Sequence, residues 1–362
     1  MNMCAGITLT YSSVINHKDM KLKTIFAAAV LLFIAAGMYA QAPGGAPAQP
    51  KIAMPTFIPV MNETVEKTTF EYSVKGEEHL LLDKYVDYTV PYEGPRPVML
   101  YVYGGAFAMG SRVNALQIGY YKHFVDRGFV VVAIDYRLGA KGSPGAGDNR
   151  SQHVEQDAPE GFATRFDWAV RIACEDLIDA TAYVLTKADE WGIDISKIIL
   201  SGGSAGAITC LNAAYEVAGE REYSDRLPTD FNYAGVISHA GCIYTPDKEL
   251  VWKKTPCPVL FFHGTADPMV PFNTRPQGGC YCYGSNYIHN QWVELDYPHW
   301  LYEETGSDHI IAMTPMGKND YEIDNFIDKF VMEGKHILMH TIYTQTPAQS
   351  DATVGYRIFD KD

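Results

Sequence analysis

Lys197 to Gly206 reads KIILSGGSAG. Ile198 to Leu200 are apolar, two of them β-branched, as a short buried strand requires. Ser201 to Gly206 are small throughout, and Ala207 to Val217 (AITCLNAAYEV) reads as a helix. The turn between strand and helix holds G-x-S-x-G, from Gly202 through Ser204 to Gly206. A strand that turns sharply into a helix holds the central serine in a strained conformation with its hydroxyl exposed, and the flanking residues must be small because the two backbones nearly touch. The helix start also supplies unpaired N–H groups and the positive end of a dipole beside that hydroxyl.

Outward from this turn, apolar strands alternate with helical segments. Strands are expected at Lys67 to Val74, Leu80 to Val90, Val98 to Val102, Phe129 to Ile134, Tyr233 to Ser238, Pro258 to His263 and Gln291 to Leu295. Helices are expected at Ala115 to Arg127, Glu175 to Trp191 and Asn319 to Met332. Several strands are apolar on both faces, which predicts an α/β domain with a mostly parallel central sheet covered by helices on both sides. Gly139 to Asp157 breaks the pattern. It is polar, leads into Phe162, Phe166 and Trp168, and reads as a long connection over the site.

A serine alcohol needs a base within reach, an acid to orient that base, and donors for a developing oxyanion. Asp267 is the candidate acid, in the loop that follows strand PVLFFH, at a strand's carboxyl end where open α/β sheets build their sites. His309 in TGSDH is the candidate base, on a glycine-bearing loop before the closing helix; His299 is the rival, since it too follows Asp267. His263 and His239 lie too close to strand interiors to be preferred. The N–H groups of Gly105, Ala106 and Ala205 are the candidate oxyanion donors, the first two in the small-residue turn YGGAF after strand VMLYV.

These pieces resemble the α/β-hydrolase superfamily, within it the carboxylesterase and hormone-sensitive-lipase-like esterases. The resemblance rests on VYGGAF, VVAIDYRL, DISKIILSGGSAGA, HGTADPMVP and GSDH, in that order from Val98 to His309. It implies an α/β-hydrolase fold, a triad of Ser204, Asp267 and His309, and an oxyanion hole of Gly105, Ala106 and Ala205. Tyr103 stands where many such lipases carry histidine and Ala106 where they carry a third glycine, as in the carboxylesterase branch. The resemblance extends to exported bacterial feruloyl-esterase-like proteins, and so to short or aromatic acyl esters of carbohydrates. Two other readings use the same scaffold: a serine peptidase of the prolyl-oligopeptidase type, and a non-catalytic binding protein.

The rest of the chain frames that domain. Residues 1–40 read as a signal peptide region, with basic Met20 to Lys23, apolar Ile25 to Met38 and a cleavage point after Ala40; Met20 is a possible start. Export to the periplasm or outside the cell follows, with no stable membrane insertion. Residues 41–63 read as a linker, 64–336 as the catalytic domain and 337–362 as a C-terminal extension. The net charge of −14 argues against nucleic acid or an anionic membrane as partner. No nucleotide loop or HExxH occurs, so neither cofactor nor metal is expected, and the partner is a small-molecule or saccharide ester. Of seven cysteines, Cys242, Cys257, Cys280 and Cys282 are the set from which a disulfide is expected, and Cys210 is expected as a buried thiol.

Overall fold

The computed structural model describes residues 61–114, 117–141, 162–344 and 353–358. The expected signal peptide, nearly all of the linker and most of the polar connection lie outside them.

In chain order the strands and helices are β1 (Glu66–Lys75), β2 (Glu78–Val86), β3 (Arg96–Val102), α1 (Ile118–Val125), β4 (Val130–Ile134) and α2 (Phe162–Thr186). A single helical turn, Ala188–Trp191, leads to β5 (Ile193–Gly203) and α3 (Ala205–Gly219). There follow β6 (Gly235–His239), β7 (Cys242–Thr245), β8 (Val259–Gly264), β9 (Thr274–Gln277), β10 (Cys280–Gly284), α4 (Ser285–Leu295) and β11 (His299–Thr305). α5 (Asp320–Phe326), continued by a π-helical turn Ile327–Met332, precedes β12 (Leu338–Thr344) and β13 (Thr353–Ile358).

Ten strands form one sheet in the order β1-β2-β4-β3-β5-β6-β8-β11-β12-β13. The run from β4 to β12 is parallel, and β1, β2 and β13 are antiparallel additions. β3, β4, β6 and β8 are buried along their whole lengths, as strands covered on both faces must be. Helices cover both faces. α1 and α5 are tied together where His123 Nε2 donates to Asp324 at 2.8 Å and Arg127 pairs with the same carboxylate. Because the strands are parallel, the loops after β3, β5, β8 and β11 all leave the sheet at one end, where the site lies.

Three expectations differ from the structure. Gln291 to Leu295 is the end of α4 and not a strand. Its buried residues Ser285, Ile288, His289 and Trp292 recur at helical spacing, which a five-residue window hides. α2 begins at Phe162, well before Glu175, because Ala169, Val170, Ala173, Cys174 and Leu177 continue the buried stripe. Residues 337–362, expected as an extension, contribute β12 and β13 to the main sheet. β12 has only Leu338 and Thr341 buried, so it shows no period of two; Thr341 Oγ1 accepts from Trp300 Nε1 at 2.9 Å and ties it to β11.

Candidate active site

Ser204 caps α3 with φ 54° and ψ −122°, a conformation sparsely populated for any residue with a Cβ. Its N–H donates to the His239 carbonyl at 2.9 Å and its carbonyl accepts from Ile208, so the strained turn is fastened to β6 on one side and α3 on the other. The small residues around it are steric necessities. A Cβ on Gly206 would lie 2.0 Å from the Val102 carbonyl oxygen, and one on Gly104 would lie 2.5 Å from that of Gly203 and 3.3 Å from the Ser204 Cβ. The loop after β3 therefore runs directly against the elbow.

The loops after β8 and β11 are joined before they reach the serine. Thr265 N donates to Glu304 O, Ala266 N to Ser307 O, and Gly306 N to Thr265 Oγ1 at 2.8 Å. Asp308 accepts from Ile310 N at 2.9 Å and starts the short 3₁₀ turn His309–Ala312. These contacts deliver His309 between the other two side chains. Its Nδ1 lies 2.7 Å from Asp267 Oδ2 and its Nε2 2.8 Å from Ser204 Oγ. All three are buried, with Ser204 7 % exposed.

Asp267 Oδ1 accepts from Met269 N at 2.8 Å and Val270 N at 3.0 Å. Burial pushes its carboxyl pKa up, but hydrogen bonds and charge from His263 and His309 outweigh that and hold it well below the usual carboxylate range. The ionised Asp267 accepts from His309 Nδ1–H, which leaves the Nε2 lone pair facing the Ser204 hydroxyl.

The rival histidine is at the other end of the sheet. His299 opens β11, its Nδ1 donates to Tyr297 O at 2.7 Å, and its Nε2 accepts from His289 Nδ1 at 2.6 Å. Burial lowers its pKa to about 4 and that of His289 to about 3, with the facing imidazoles adding to the shift of His289. His239 is buried under the elbow with its ring against Phe262. His263, in a strand interior as expected, is fully buried in β8. Its Nε2 donates to Val270 O at 3.1 Å and lies 3.6 Å from Asp267 Oδ2, and Nδ1 accepts from Ser285 at 2.7 Å. The HGTAD motif carries this residue; its contact with Ser285 of α4 joins positions 22 apart and has no sequence signal.

Gly105, Ala106 and Phe107 all have positive φ, 136°, 54° and 58°. Ala108 N and Met109 N both donate to Gly105 O, which folds the loop into a tight turn. Among the described residues, no hydrogen bond engages the N–H of Gly105, Ala106 or Ala205. A polar cavity of about 280 Å³ lies beside this loop, with Tyr103, Asp135, Arg165 and Trp168 in its lining.

β9 and β10, which lie between Asp267 and His309 in the chain, join the earlier β7 in a small sheet of order β7-β10-β9. Cys242 and Cys282 form a disulfide across β7 and β10, with Cα atoms 5.8 Å apart. Arg275 of β9 donates to Pro268 O at 3.1 Å and to Met269 O, so this sheet grips the Asp267 loop. Cys174, Cys210 and Cys257 are buried thiols and Cys280 is a half-buried one. Of the aromatic residues in this region, Trp292 and Trp300 are core, while Tyr281 and Tyr287 flank buried Tyr283 and stay partly exposed. Among the described residues no group of three His, Cys, Asp or Glu side chains could hold a metal ion, and no helix is long and apolar enough to cross a membrane.

Residues 53–153 match the model of the Carboxylesterase family. Venom carboxylesterase-6 of Apis mellifera is 40 % identical over 147 residues, 38 % of this chain and 21 % of that protein. Lipase 1 of Geotrichum candidum is 28 % identical over 132 residues, 36 % of this chain and 21 % of that one. The matched region thus spans about a fifth of either relative. Among solved structures, the apo form of Thermogutta terrifontis esterase 2 superposes with a TM-score of 0.51 at 20 % identity, covering 77 % of this chain and 97 % of that one. Its propionate-bound form gives 0.51 at 20 % identity, covering 72 % and 93 %. At that identity the likeness establishes the architecture. The chain is an α/β-hydrolase in fold, similar to the carboxylesterase family.

Proposed function

We propose that this protein is an exported serine carboxylic-ester hydrolase that acts on short or aromatic acyl esters of carbohydrates. The observation that carries the reading is the unbroken hydrogen-bonded path from Asp267 through His309 to Ser204. Ser204 Oγ attacks the ester carbonyl carbon while its proton passes to His309 Nε2. Negative charge gathers on the carbonyl oxygen and meets the N–H groups of Gly105, Ala106 and Ala205. His309 then gives the proton to the departing alkoxide, which leaves as the alcohol and an acyl-Ser204 ester. Water, deprotonated by the same Nε2, attacks that ester and releases the acid and the free serine. Ionised Asp267 holds the tautomer and stabilises the imidazolium at each stage.

The carbohydrate alcohol rests on the resemblance to exported feruloyl-esterase-like proteins; the cavity lined by Trp168, Asp135 and Arg165 is a separate hollow whose lining includes none of Ser204, Asp267, His309, Gly105, Ala106 or Ala205. A net charge of −14 disfavours work at an anionic lipid surface. Export is supported by the basic and apolar N-terminal pattern. The test is kcat/KM for acetyl, feruloyl and long-chain acyl esters, on sugar and simple alcohols, under matched conditions. The expected result is a preference for acetyl or feruloyl sugar esters. A clear preference for the long chain, with activation at an oil–water interface, contradicts the substrate reading.

A further inference from the structure

We infer that Tyr136 is a positioning residue for the oxyanion-binding loop: its buried hydroxyl fixes the backbone that carries the Gly105 and Ala106 N–H groups. The inference rests on the proposed role of those groups.

Two consecutive residues with side chains, Ala106 and Phe107, are left-handed at φ 54° and 58°. Such a pair does not hold itself; it persists where the surroundings over-determine it. Both ends of the strained run are tied to the segment after β4. Before it, Tyr136 Oη donates to the Tyr103 carbonyl at 2.9 Å. After it, Ala140 N donates to the Phe107 carbonyl at 3.0 Å. The Tyr136 ring also stacks on the Tyr103 ring with centroids 4.5 Å apart and sets its edge to Phe107 at 6.3 Å.

Peptide planarity turns these anchors into aim. Tyr103 C=O and Gly104 N–H share one plane, so the hydroxyl sets the orientation of the peptide unit just before the Gly104–Gly105 unit. Gly105 C=O is turned into the loop, toward Ala108 N and Met109 N, so the Ala106 N–H of the same trans unit points the opposite way. The anchoring segment is itself rigid. Tyr72 Oη donates to Asp135 O at 2.6 Å, and Arg137 N and Nε both donate to the buried Asp176 carboxylate, at 2.8 and 3.0 Å. Burial raises the Tyr136 phenol well above its ordinary pKa, so the hydroxyl remains a donor across the working range. The DYRL motif in the sequence thereby acquires a part in the chemistry without touching substrate.

The test is Tyr136→Phe, which keeps the ring and deletes the donor, measured beside the wild type on a soluble acetyl ester. The readouts are kcat, KM, the pH profile and the Ki of a boronic acid that forms a tetrahedral adduct. A loosened loop predicts a kcat fall of about tenfold or more, since loss of a whole donor typically costs two to three orders. KM should stay within about twofold, the Ki should rise in step with the kcat loss, and the shape of the pH profile should not move. A merely structural tyrosine would lower the melting temperature without this matched change in kcat and Ki. If the phenylalanine protein does not fold, 4-fluorophenylalanine at 136 fills the hydroxyl's space without a donor. Wild-type kcat and Ki in either variant overturns the inference while leaving the esterase reading intact. A wild type that hydrolyses no ester takes both down.

Discussion

His309 and His299 are the same residue type, 10 positions apart, at the two ends of one strand, and their hydrogen-bond partners differ entirely. His309 lies at the carboxyl end of β11, between a carboxylate and a hydroxyl. His299 lies at the amino end, locked between a carbonyl and a second imidazole. His309→Ala should lower kcat/KM for ester hydrolysis by about three orders of magnitude or more, and Asp267→Asn by a comparable factor through loss of the tautomer. His299→Ala should leave kcat/KM within a few-fold and cost stability instead. A dead His299→Ala enzyme beside an active His309→Ala one would reverse the assignment. At this scale the sequence was informative because strand-end loops with Gly, Ser and Asp mark where chemistry-bearing residues leave the sheet. It was blind to contacts that only the fold creates, such as Tyr136 with the Tyr103 carbonyl or His263 with Ser285.

Among the elements, the β7-β10-β9 sheet is the one least legible in the sequence. CYCY suggested a disulfide but not its partner, because β7 is only four residues long and was not distinguishable from a loop. The pairing follows from register: Cys282 faces Tyr244 and Gly284 faces Cys242, which sets the two sulfurs diagonally across one face. The bond closes a sequence separation of 40. In the chain-entropy model such a loop stabilises the fold by about 4 kcal/mol, with measured cases commonly 2–5. Replacing both Cys242 and Cys282 by serine should therefore lower the unfolding free energy by about 2–4 kcal/mol in urea titrations. Because Arg275 of β9 holds the Asp267 loop, activity should also fall before global unfolding as urea is raised. Unchanged stability and a coincident loss of activity and structure would show that the small sheet neither braces the fold nor the acid.

Across the whole molecule, the parallel order from β4 to β12 brings residues from four distant segments to one end, and continuous apolar strands had announced that order. β12 has no signature in the sequence, because a strand with two buried positions shows no alternation. The same fold buries two facing imidazoles, and this sets its response to acid. His289 and His299 have folded pKa values of about 3 and 4, below the unfolded value of about 6.5. A depressed folded pKa means that the unfolded chain binds more protons below pH 6.5. The stability from this pair is thus complete above pH 6.5 and is lost as the pH falls toward 4 and then 3. Asp176, raised to about 6 by burial against the opposing pull of Arg137, works in the other sense between pH 6 and 4. The pair is isolated by difference. The unfolding free energy of the wild type should drop more steeply between pH 7 and 4.5 than that of His289→Gln. Parallel curves for the two proteins would mean that the imidazoles do not carry the acid sensitivity.

The central claim is that Ser204 is the nucleophile of an ester hydrolase. It is tested most directly by treating the full chain with a fluorophosphonate, mapping the adduct by peptide mass spectrometry and following ester turnover in the same samples. One adduct is expected, on the peptide that contains Ser204, formed in step with loss of activity and absent from a folded Ser204→Ala protein that hydrolyses no ester above background. Substantial turnover by Ser204→Ala, or stoichiometric labelling at another residue, would contradict it.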